Sequence, residues 1–233
     1  MDTTARIRKL VLSLVTIAII AGTTAIFQST QSFYKDFAQG ERYFRYRKYS
    51  KALPYFVSAY NLNPTSPEVL AYLLWTYQNL GMKKETGIIL AALYKSDPEN
   101  IAVLEQLADV YYSQSGFAQA EDMYRKILEI KDSFSVRRKL AEVVVWQKKY
   151  KEAVPLLEEL MKEKPDDYKL IEFYADVSSW AKEYEKAISA YRELLSSGHG
   201  SRGTVLKLAE VLRFAGKDEE AVSVYDEYLK GEK

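Results

Sequence analysis

Cysteine is absent from all 233 residues. No disulfide framework and no thiolate metal site can be written for such a chain. The absence agrees with an oxidising compartment without requiring one. Histidine occurs once, as His199 in the stretch SSGHGSRG. With one histidine and no cysteine, neither a nucleophile–base pair nor a metal centre can be assembled. No cofactor, no metal and no enzymatic role are expected, and His199 is read as a turn residue. The acidic pairs Asp166–Asp167 and Glu219–Glu220 fall in turns, where carboxylates start helices or are solvated. A surplus of one charge is missing too: 33 Lys and Arg against 32 Asp and Glu leave a net charge of +1. Phosphate binding needs clustered surplus cations, so nucleic acid is not an expected partner. Six prolines and ten glycines leave long uninterrupted segments, which favours helices over many short strands.

One long apolar run is present. Residues 10–27, LVLSLVTIAIIAGTTAIF, carry no charge. Eighteen residues of helix rise about 27 Å, enough for a bilayer core of about 30 Å. Arg6, Arg8 and Lys9 precede the run, and the next charge is Lys35. That flank predicts a cytoplasmic amino terminus with the rest of the chain outside. The expectation is a single-pass protein, of the bacterial inner-membrane kind, with residues 33–233 on the periplasmic side. A cleaved secretory signal is the competing reading; GTTAIF offers it only Thr23 and Ala25 as a small-x-small site. No Gly or Pro lies between Thr24 and Gln39, so one nearly continuous helix is expected from the apolar run into the first folded segment.

The rest of the chain repeats itself. Residues 146–154 read WQKKYKEAV, and 34 positions on, residues 180–188 read WAKEYEKAI. The Ala of this pattern recurs as Ala52, Ala120, Ala153, Ala187 and Ala221. Twelve positions earlier stand Gly40, Ala108, Ala141, Ala175 and Ala209. Four positions later stand Phe56, Leu90, Tyr124, Leu157, Tyr191 and Tyr225. Pro64, Pro98 and Pro165 close three of the units, where the chain must leave a helix. Two small residues let two antiparallel helices approach, and the large one fills the gap between units. Each unit then has an apolar face that only a neighbour can bury. The second unit departs, with Leu74 and Thr86 at the small positions, so looser or shifted packing is expected there. The period also accounts for many of the nineteen tyrosines, whose rings pack while their hydroxyls reach the rim.

This pattern resembles the tetratricopeptide repeat (TPR) family. The expected fold is all-α: a right-handed α-solenoid of helix-turn-helix repeats preceded by one transmembrane helix. Residues 1–32 form the cytoplasmic end and anchor. Residues 33–233 form about six repeats, at 33–66, 67–100, 101–133, 134–167, 168–201 and 202–233. The resemblance implies a concave face lined by the first helix of each repeat, which in such families commonly binds an extended or helical peptide. One position of that helix carries Glu41, Trp75, Asp109, Glu142, Asp176 and Glu210. Three or four residues on come Phe44, Tyr112, Trp146, Trp180 and Phe214. An acidic stripe beside an aromatic ladder suits a partner segment with Lys or Arg and apolar anchors. Equally, the acids can be a solvated face and the rings a brace between repeats. The subfamily that grips a C-terminal carboxylate carries Asn and Lys here, so acids do not support that role.

The last helix presents Val224, Tyr228 and Leu229 with no later segment to cover them all. Such a patch predicts a contact with a second copy or a partner subunit; fraying of KGEK with a tolerated small patch is the alternative. Two functions follow. One is a membrane-anchored scaffold mediating protein–protein interaction within a larger envelope or membrane complex. The other is a periplasmic chaperone or assembly factor for exported clients.

Overall fold

The computed structural model describes the backbone of residues 3–231 and the side chains of residues 14–226. Among the described residues there are twelve helices and no strand. The chain divides into two compact units, residues 1–98 and 99–233. The first holds α1 (Thr3–Arg45), α2 (Tyr49–Leu62), α3 (Pro67–Asn79) and α4 (Lys83–Ser96). The second holds α5 (Ile101–Ser113), α6 (Phe117–Ile130), α7 (Phe134–Trp146), α8 (Tyr150–Glu163), α9 (Tyr168–Trp180), α10 (Tyr184–Ser196), α11 (Arg202–Phe214) and α12 (Asp218–Gly231). Within each unit consecutive helices pack on one another. The class is all-α, of the solenoid type built from helix-turn-helix repeats.

Two kinds of turn punctuate the helices. Between the helices of a pair, one residue takes a left-handed backbone: Arg47, Gly81, Ser115, Lys148, Lys182 and Gly216, with φ from 55° to 74°. At each, two backbone bonds close the first helix. At the fourth turn the Lys148 N–H donates to Val145 O at 2.8 Å and the Lys149 N–H to Val144 O at 3.2 Å. This double closure satisfies carbonyls that the helix end leaves open. Glycine takes such a φ freely, whereas a side chain there costs about 1 kcal/mol. Between pairs, side chains cap the next helix. Asp167 Oδ1 accepts from the Leu170 N–H at 3.1 Å, and Asn100 Oδ1 from the Val103 N–H at 3.3 Å. Ser66 accepts from the Val69 N–H, and Ser201 with Thr204 forms a reciprocal capping box.

The small residues of the repeat lie where the helices cross. Ala52, Ala108, Ala120, Ala141, Ala153, Ala175 and Ala187 are fully buried. Gly40 shows why: a Cβ there would lie 2.6 Å from Phe56 Cε1. The large residues Phe56, Leu90, Tyr124, Leu157 and Tyr191 are buried beside them, each contributing about 1.5–3 kcal/mol. The second repeat is accommodated by other means. Leu74 and Thr86 are both buried, and the Thr86 hydroxyl donates to Met82 O at 2.8 Å.

α1 runs unbroken for 43 residues, as the Gly- and Pro-free link predicts. Its carboxy-terminal part pairs antiparallel with α2. Ser58 bonds Asp36 at 2.6 Å, and Phe37 and Tyr43 lie against Phe56 and Tyr55. Its amino-terminal part stands alone. The helix is long and apolar enough to cross a membrane, and that stretch is not buried in the protein. Thr23 and Thr24 donate to Ile20 O, and Ser29 and Thr30 to Ile26 O. The hydroxyls of the exposed stretch are thus satisfied by their own helix, as a lipid environment demands.

Candidate protein-binding surface

The predicted acidic positions sit on the first helices of the pairs, and most already have internal partners. Glu41 on α1 accepts the Tyr72 hydroxyl at 2.7 Å. Asp109 on α5 accepts the Tyr124 hydroxyl at 3.1 Å and Lys139 Nζ at 2.9 Å. Asp176 on α9 repeats this arrangement with the Tyr191 hydroxyl at 2.5 Å and Lys207 Nζ at 2.8 Å. Glu142 pairs with Arg138 at 3.5 Å. Only Glu210 bonds to no other described residue. The chemistry explains the pattern. A tyrosine in the large core position brings a hydroxyl into a buried place, and an acid on the facing helix accepts its proton. Burial and the adjacent Asp hold both phenols, Tyr124 and Tyr191, far above the usual tyrosine range. They stay protonated donors.

The aromatic positions behave differently. Trp75, Trp146, Trp180 and Phe214 are 57%, 59%, 52% and 52% exposed. Each nevertheless rests on a ring of the preceding repeat. Trp146 stacks on Phe117 at 5.9 Å, Trp180 lies against Tyr150 at 5.5 Å, and Phe214 on Tyr184 at 6.2 Å. Trp75 meets Phe44 at 6.4 Å. Tyr112 also touches Phe117, and Phe44 touches Tyr49. Each large ring therefore touches a ring of the preceding repeat and leaves about half of its surface open to solvent. The two readings of the ladder do not exclude each other.

In the second unit the ladder borders a groove of about 500 Å³, with Trp146, Trp180, Tyr112 and Phe173 among its walls. Arg138 and Glu142 supply its paired charges. Beneath the ladder lies a clamp that the repeat pattern did not single out. Glu121, nearly buried on α6, accepts Arg125 at 2.6 Å, Gln147 Nε2 at 2.7 Å and Lys149 Nζ at 2.9 Å. Its signal is an acid directly after the small residue Ala120, where the fourth and fifth repeats have Val154 and Ile188.

Residues 144–203 match the family model described as tetratricopeptide repeat. The chain has a TPR fold. Solved structures agree with it. MamA superposes with a TM-score of 0.58 at 17% identity, covering 70% of this chain and 90% of that one. YrrB, described as a TPR protein with an unusual peptide-binding site, gives 0.57 at 14%, covering 73% and 89%. A chain of the Naa15/Naa10 complex bound to HypK-THB gives 0.66 at 18%. That match covers 90% of this chain but only 33% of the longer one. At these identities the likeness is one of fold. No curated protein matches the sequence.

The TPR frame also locates the remaining candidates. His199 stacks on Tyr168 with ring centroids 3.5 Å apart, in the link before α11. On α12, Ala221 is buried, Val224 half-buried, and Tyr225 39% exposed although its equivalents Tyr124 and Tyr191 are buried. Tyr228 and Leu229 lie outside the residues whose side chains are described.

Proposed function

We propose that the chain is a membrane-anchored TPR scaffold that holds a protein partner within a larger envelope or membrane complex. The aromatic ladder carries the reading. Trp146, Trp180 and Phe214 recur at one repeat position, and each, like Trp75 one turn earlier on its own helix, is more than half exposed. Aromatic rings held rigid at one face and open at the other are the composition of interface hot spots. The stripe acids, expected to draw a basic segment, support the reading less, because four of them are engaged internally. α1 serves as the anchor, with residues 33–233 on the periplasmic side as the flank Arg6, Arg8 and Lys9 implies. An uncleaved chain that resists alkaline extraction from membranes and retains residues 1–32 is the expected result; a mature chain lacking them would overturn the anchor.

The partner is tested by placing a photo-crosslinking amino acid at Glu210 in cells, with Trp146→Ala plus Trp180→Ala in parallel. One stoichiometric partner, lost in the double variant, is expected. Many substoichiometric clients, together with suppression of client aggregation, would instead mark a chaperone. No crosslinked protein at all would defeat the scaffold.

A further inference from the structure

The turns between paired helices place one residue in the left-handed region, and only two of the six are glycine. Lys148 and Lys182 hold φ of 60° and 64° on successive turns. Each lies two residues beyond an exposed ladder tryptophan, Trp146 or Trp180. The carbonyl end of a helix favours a cation nearby, which accounts for a lysine at the turn. It does not account for what lies around these two. The cavity between the turns, about 460 Å³, is lined by Lys148, Tyr150, Lys151, Trp180 and Lys182. It shares Lys148, Tyr150 and Trp180 with the groove that reaches Trp146. The side chains of Lys148, Lys151 and Lys182 form no ion pair or hydrogen bond with another described residue. Glu152 is the one acid in the cavity wall, and Glu142, the acid of the groove, is paired to Arg138. Three lysines against Glu152 leave the net unmatched charge on this rim positive, and it lies beside half-exposed aromatic rings.

We infer that this rim binds an acidic, apolar-anchored segment of a protein partner: carboxylates reach Lys148, Lys151 and Lys182 while an aromatic or aliphatic side chain lies against Trp180 and Trp146. The inference rests on the scaffold reading and specifies its partner's chemistry, which is opposite to the basic segment that the stripe of acids implies. Lysine ammonium groups on a rim contribute mostly through steering and salt-sensitive attraction, and the rings supply the anchor.

The test uses the full chain in detergent and two synthetic peptides, one alternating Glu with Phe and one alternating Lys with Phe. Binding is followed by tryptophan fluorescence and by titration calorimetry. Lys148→Gly with Lys182→Gly is the discriminating variant, because glycine keeps the left-handed turn while the ammonium group and its stem are removed. The Glu/Phe peptide should bind, weaken as salt rises, and lose at least tenfold in affinity in the variant. The Lys/Phe peptide should not bind. Equal affinity for both peptides, an unaffected variant, or no binding of the Glu/Phe peptide would each overturn the inference. So would capture of anionic phospholipid vesicles or RNA by these lysines without peptide binding. If a crosslinked cellular partner is lost with the tryptophan variant but kept with the lysine variant, the scaffold stands and the acidic specificity falls. If no partner is found, the scaffold itself falls.

Discussion

Replacing Glu121 by Gln removes one charge from a nearly buried cluster that joins two repeats. The carboxylate sits on α6, while Gln147 and Lys149 belong to the turn between α7 and α8. Burial alone would raise its pKa. Bonds from Lys149, Arg125 and Gln147 overcome that and hold it at about 2, against an ordinary 4.5. A difference of about 2.5 pKa units, at about 1.36 kcal/mol each, is worth about 3 kcal/mol. Arg125 and Lys149 are 50% and 39% exposed, so solvent screening trims the figure to about 2 kcal/mol. The folded pKa lies below the unfolded one. The contribution is therefore complete above about pH 4.5 and drains away as pH falls toward 2. Glu121→Gln keeps the shape and one acceptor oxygen, so the full chain in detergent should lose about 2 kcal/mol at pH 7. That deficit should shrink steadily on acidification. Urea unfolding read by tryptophan fluorescence gives the global value. Repeat arrays open in pieces, so amide exchange across α6 to α8 should show where protection is lost. Equal stability of the two proteins at pH 7, or a deficit at pH 3 as large as that at pH 7, would refute the reasoning.

Lys182→Gly should raise the thermal midpoint, by about 0.5 kcal/mol of stability, because relief of the left-handed backbone slightly exceeds the entropy of glycine. A lowered midpoint would mean that the lysine stem packs. Gly40→Ala should cost about 1–3 kcal/mol, since the added carbon meets the buried Phe56 ring at 2.6 Å; an unchanged thermal midpoint would show that the ring moves freely. Trp146→Ala with Trp180→Ala should cost only about 1–2 kcal/mol per ring, less than the 3–5 of buried truncation, because both are more than half exposed. Their partner should nevertheless be lost from crosslinks.

The repeat frame was legible because its signals are periodic. Small residues at two fixed places, a large one four positions on, and closing prolines all recur in phase, and α2 to α12 alternate with the same rhythm. The acids were harder. Asp109 and Tyr124 are 15 positions apart, as are Asp176 and Tyr191. That spacing crosses a turn, so a scan along one helix sees a stripe of negative charge and not a set of acceptors. The same is true of the ladder. Trp146 ends one helix while its partner Phe117 begins a helix of the preceding repeat, and the linear pattern does not show which face of the ring that contact uses. Lys148 and Lys182 carry no turn signal in the sequence, for a local reason. Glycine signals a left-handed turn in a sequence, and lysine does not.

The unbroken helix α1 gives the first helix pair a fixed azimuth relative to the apolar run. Its 43 residues extend roughly 64 Å. Only about 9 Å separates Phe27, at the end of the apolar run, from Phe33, where the first repeat begins. With that run held in a bilayer, the first helix pair turns with the span like a sail on a mast. Each residue inserted between them would rotate the pair by about 100° and lift it by about 1.5 Å. One added residue would point the pair's partner-facing side to another quarter of the membrane plane. Seven would return it to within about 20° of where it began, some 10 Å higher.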